Sequence, residues 1–148
     1  MVEMVDAAES PGVAESRREL RVTALPENVV EVRRALDGLD LPAGLLDDAK
    51  LLATELVTNS IRHAGLRPDE TIHFTAERRP GVLRVTVRDH TEERGPAPVA
   101  GSIRPAPGAE SGWGLYLMDR IAQRWGTSLR GGSSYWFELE IPDPPGPD

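Results

Sequence analysis

The chain has 148 residues, a formal net charge of −7 and no cysteine. That length suits one domain able to bury its own core. The composition excludes disulfides, thiolate metal sites and cysteine nucleophiles, and the acidic balance argues against direct binding to nucleic acid. No apolar run approaches the roughly eighteen residues of a membrane span, and the first residues lack the layout of a signal peptide, so a cytoplasmic protein is expected.

Taken in chain order, residues 1–18 are acidic, small and aperiodic, which predicts a flexible tail. Residues 20–24 predict a short strand, closed by Pro26. Val29, Val32, Leu36 and Leu39 recur at helical spacing and predict a helix over about 27–38. Gly38 and Pro42 bracket the next connection, and a longer helix is expected over about 43–64, with Gly65 as its stop. Within it, Ala49, Leu52, Leu56 and Ser60 form a small, apolar stripe. Glu55, Asn59 and His63 run beside that stripe. A step of four residues turns about 40° and climbs about 6 Å, so these three project on nearly the same side.

Residues 71–77 and 82–88 alternate in polarity and predict two strands, with Pro80-Gly81 as the hairpin turn and Asp89 at the end of the second strand. Residues 91–111 carry four prolines and three glycines without periodicity, and a loop of that length in a compact domain is usually functional or disordered. Met118, Ile121, Ala122 and Trp125 then mark a helix over about 113–124. Residues 127–130 and 134–141 predict the last strands, joined across Gly131-Gly132, and Trp125 and Trp136 fit core positions. The proline-rich end, residues 143–148, cannot continue a central strand and reads as a tail. The domain therefore spans residues 19–142. Its expected class is α+β: a two-layer α/β sandwich with a mixed, mostly antiparallel sheet and helices on one face.

Several side chains carry chemistry, and each has a plainer alternative. The oxygen of Asn59 can ligate a hard cation such as Mg²⁺, and Glu55, one turn away, can accept a proton. A solvated helix face gives the same pattern. His63 in the last turn also suits the helix macrodipole, and Arg62 can meet a phosphate or only water. Asp89 can accept a hydrogen bond from an exocyclic amine such as that of adenine, or it can cap a turn. Ser111-Gly112-Trp113-Gly114-Leu115 opens a helix at which backbone N–H groups can approach phosphate oxygens, although a Ser111 N-cap with permissive glycines reads equally well.

The ordered combination of residues 41–64, the strand ending at Asp89, the long loop, Glu110-Ser111-Gly112-Trp113-Gly114-Leu115 and the strand Ser134-Tyr135-Trp136-Phe137 resembles one bacterial family. It is similar to the anti-sigma-factor serine/threonine kinases, a branch of the GHKL ATPases, over residues 20–142. The resemblance implies that Glu55 is the catalytic base and Asn59 the Mg²⁺ ligand, with Arg62 and His63 near the phosphates. It implies that Asp89 reads adenine, that Gly112, Trp113, Gly114 and Leu115 form the second glycine box, and that residues 91–111 are the ATP lid. The implied cofactors are ATP and Mg²⁺. The implied partners are a sigma factor, sequestered by the protein, and an anti-anti-sigma protein of the STAS type, phosphorylated on a serine; a homodimer is implied as well. One departure stands out: the family pattern D-x-G-x-G is replaced by Asp89-His90-Thr91-Glu92-Glu93. Two functions are therefore carried forward, a protein serine kinase and a non-catalytic GHKL-fold regulator that binds a partner. A sensor histidine kinase fragment fits less well, because His63, His73 and His90 are the only histidines and all lie inside the expected domain.

Overall fold

The computed structural model describes residues 2–5, 16–63, 67–89, 113–128 and 134–142. Six strands form one sheet in the order β1-β2-β3-β4-β6-β5. These are β1 (Val2–Val5), β2 (Ser16–Thr23), β3 (Thr71–Arg79), β4 (Val82–Asp89), β5 (Arg124–Ser128) and β6 (Ser134–Glu140). Every pairing is antiparallel. Three helices, α1 (Val29–Asp37), α2 (Ala43–His63) and α3 (Trp113–Ile121), complete the fold. α1 lies over β2 and β3, α2 over β4 and β6, and α3 against β5, so α2 sits between the other two helices. This is the expected α+β sandwich. Among the described residues, no helix is long and apolar enough to cross a membrane.

Alternation builds the core. On β4, Leu83, Val85 and Val87 are fully buried while Arg84, Thr86 and Arg88 point to the other side. Phe74 of β3 and Phe137 of β6 are fully buried on the helix-facing side, and burying each such side chain contributes about 1.5–3 kcal/mol. α2 contributes Ala49, Leu52, Ala53, Leu56, Val57 and Ser60 to the buried layer, which includes the whole apolar stripe read from sequence.

Local contacts fix the helix entries. The Asn28 side-chain amide donates to the Thr23 carbonyl at 2.9 Å and to Thr23 Oγ1 at 2.8 Å, tying a short 3₁₀ turn (Pro26–Asn28) to β2. Between α1 and α2, Asp40 adopts a left-handed backbone with φ 54°, which an aspartate tolerates better than a branched residue. Arg78 holds that link by donating to the carbonyls of Leu39 at 2.9 Å and Asp40 at 2.6 Å. Gly81 turns the β3–β4 hairpin with φ 80°, where glycine carries no steric penalty.

The structure differs from the sequence reading in four places. Val2–Val5 forms a strand beside β2, and β2 starts at Ser16 rather than Leu20, although both stretches fall within or border the expected tail. A four-residue strand has too little pattern of its own; its partner, distant in sequence, supplies the hydrogen bonds. α3 stops at Ile121, and β5 begins at Arg124, three residues earlier than expected. Trp125 is partly buried against the core, but as a strand residue rather than a helical one. Trp136 lies on the side of the sheet away from the helices and is not a core residue, because its neighbours Tyr135 and Phe137 take the helix-facing side. Residues 91–111 and the Gly131-Gly132 link lie outside the described residues.

Candidate functional site

Three strand and helix ends meet at one edge of the sandwich. α2 ends at His63, and β3 starts at Thr71 after a short connection. The antiparallel register sets Ile72, near the start of β3, opposite Asp89 at the end of β4. α3 arrives from the other side. It leads within three residues to Arg124, whose partner Glu138 pairs in turn with Arg84 near the start of β4. The end of α3 is thus near the start of β4, and the helix packs against α2.

Helix geometry assigns the flanks of α2. Thr54 faces α1, since its Oγ1 accepts from Arg33 Nη1 at 3.3 Å. Thr58 and Ile61 share that side with Pro26 and Val29 around a small apolar hollow. At about 100° per residue, Glu55 and Asn59 fall on the opposite flank of the buried stripe, the one turned toward α3. Both are half-buried. That flank packs toward α3, which contacts α2.

Asp89 is fully buried. It continues the Leu83–Val85–Val87 series on the helix-facing side, where each preceding member is aliphatic. A charged group taken out of water costs several kcal/mol unless polar partners compensate. Asp89 is therefore the one charged member of that buried series. Ser60 is the other buried polar residue among those described, and its Oγ has no hydrogen-bond partner there. Sequence reasoning placed Ser60 in the small stripe and gave it no role. The available signal was a hydroxyl at a core-facing position next to Asn59.

The remaining candidates divide. Arg62 and His63 occupy the last turn of α2 as expected. Trp113 and Gly114 open α3, so the glycine box does coincide with a helix start, while Gly112 lies outside the described residues. Leu115 is partly buried against the core, so its side chain contributes to packing as well as standing near the helix start. No group of three His, Cys, Asp or Glu side chains among the described residues can hold a metal ion. Mg²⁺ does not require one: it keeps several waters and is bound through one or two protein oxygens plus substrate phosphates. An asparagine oxygen on a half-buried helix flank fits that role, and a carboxylate at the end of β4 fits a purine amine.

The family model for the histidine kinase-like ATPase domain matches residues 22–133. The chain belongs to that family. No curated protein matches it. The matched span runs from β2 to the β5–β6 connection and contains Glu55, Asn59, Asp89 and the start of α3. Membership in the histidine kinase-like ATPase family implies ATP binding.

Proposed function

We propose that the protein is an ATP-dependent protein serine kinase of the anti-sigma type. In this reading it phosphorylates a STAS-type anti-anti-sigma partner, otherwise sequesters a sigma factor, works in the cytoplasm and forms a homodimer. The observation that supports it most is the placement of Glu55 and Asn59 on the α3-facing flank of α2, beside the edge at which Asp89 is buried.

The roles follow from position. Asp89 accepts a hydrogen bond from the adenine amine and fixes the base. Backbone N–H groups at the start of α3 face the phosphates, where the helix end favours anions. Asn59 offers its oxygen to Mg²⁺. When bound, Mg²⁺ neutralises charge on the phosphate oxygens. Glu55 takes the proton of the substrate serine hydroxyl as the serine oxygen bonds to the γ-phosphorus and the bond to ADP breaks.

A base that acts only in the transition state can be lost with little change in ground-state binding. Glu55→Ala should therefore lower transfer of labelled γ-phosphate to a STAS-type partner by about 10²-fold or more. Its ATP affinity should stay within a few-fold of wild type. Unchanged transfer in Glu55→Ala would remove Glu55 from the chemistry. The second reading, a binding regulator without phosphotransfer, is favoured by the missing glycines after Asp89. It predicts that wild-type protein transfers no phosphate although it retains a partner.

A further inference from the structure

The face of the sheet that carries no helix has its own organisation. Strand register aligns Arg17, Glu77, Arg84, Glu138 and Arg124 in one row across β2, β3, β4, β6 and β5. The next row is Glu19, Thr75, Thr86, Trp136 and Gly126, and the third is Arg21, His73, Arg88 and Ser134. Thr75 and Thr86 are short, and the rows on either side are long. The difference leaves a groove of about 290 Å³ with the two threonines in its lining.

Arginine dominates the groove although the chain is acidic. Arg17, Arg84 and Arg88 line it together with His73 and one carboxylate, Glu77, and Glu19 stands 3.5 Å from Arg17 Nη2. Glu77 is engaged from outside the groove, since both of its oxygens accept from Arg79 Nη2 at 3.1 Å. The walls are held in place. His73 Nε2 is 2.5 Å from Glu19 Oε1. The Arg84 guanidinium stands 4.1 Å from the centre of the Trp136 ring and donates to Glu138 Oε2 at 3.3 Å. Trp136 is fixed from below, because a Cβ on Gly126 would come within 2.7 Å of its indole nitrogen.

Guanidinium groups beside hydroxyl donors match the oxygens of a compact oxyanion, and arginine suits phosphate geometry. We propose that this groove binds a phosphoryl group. It opens on the side of the sheet opposite the helices, so it is separate from the proposed nucleotide site.

The test is a ¹H–¹⁵N NMR titration of the full chain with inorganic phosphate at constant ionic strength. Saturable shifts are expected at the amides of Thr75, Thr86 and Arg88. Arg88→Gln, Arg17→Gln and the near-isosteric Thr86→Val should each weaken binding about fivefold or more. Arg34→Gln, on the exposed side of α1, should leave it unchanged. A parallel titration with N-acetyl-phosphoserine amide separates two sources. Tighter binding than inorganic phosphate assigns the groove to a phosphorylated polypeptide, and weaker binding assigns it to a free phosphate compound. Absence of saturable shifts, or equal binding by wild type and the three groove variants, would overturn the proposal.

Discussion

The two faces of β4 are built from alternate residues of one strand, and they treat charge in opposite ways. On the open face, Arg84 lies between Glu77 and Glu138 in the register, and the row continues to Arg17 and Arg124 with alternating sign. Each charge there has an opposite neighbour across the strand and contact with water, so none carries a large desolvation cost. On the helix-facing side, Leu83, Val85 and Val87 lead to Asp89, which is fully buried. The comparison teaches that the number of charges is uninformative. What differs is burial: one charge stands on the side where it is costly.

Predictions can break or sharpen that contrast. The largest effect belongs to the apolar side. Phe74→Ala should cost about 3–5 kcal/mol in urea denaturation, because the ring is fully buried among both layers. A loss below about 1 kcal/mol would mean that the layers are not packed as described. Ser60→Ala should have the opposite sign. Its hydroxyl is buried without a hydrogen-bond partner among the described residues, so removing it should raise stability by up to about 1 kcal/mol. A loss greater than about 1 kcal/mol would show that the hydroxyl has a partner in the fold. The smallest effect belongs to the open face. Glu138→Gln should change stability by less than about 1 kcal/mol, since its arginine partners are 37% and 67% exposed. A larger, salt-sensitive loss would show that the charged row holds the sheet together.

Much of this was legible in the sequence, for identifiable reasons. α2 was read almost to the residue because its buried stripe repeats over several turns and Gly65 follows it. The β3–β4 hairpin was legible from two alternating runs around Pro80-Gly81, and Asp89 was placed correctly at a strand end. What was missed depends on partners far away in sequence. β1 is a strand only because β2 lies beside it. Trp125 extended a helical spacing by chance, and Gly126 belongs to a strand because it accommodates the Trp136 indole. The burial of Asp89 could not be read either, since a strand-end aspartate looks the same whether it caps a turn or lies beneath a helix. The charged row on the open face depends on register across five strands, which no local pattern specifies.

The central claim is that the α3-facing flank of α2 and the Asp89 edge form a nucleotide site, read by Asp89 and served by Asn59. Calorimetric titration of ATP with magnesium into wild type, Asn59→Ala and Asp89→Asn tests it directly. Wild type should bind, and each variant should bind at least about tenfold more weakly, a difference of about 1.4 kcal/mol. The weakening in Asn59→Ala should shrink when magnesium is withheld, whereas that in Asp89→Asn should persist. Equal affinity in all three proteins, or no heat from wild type at millimolar nucleotide, would contradict the account.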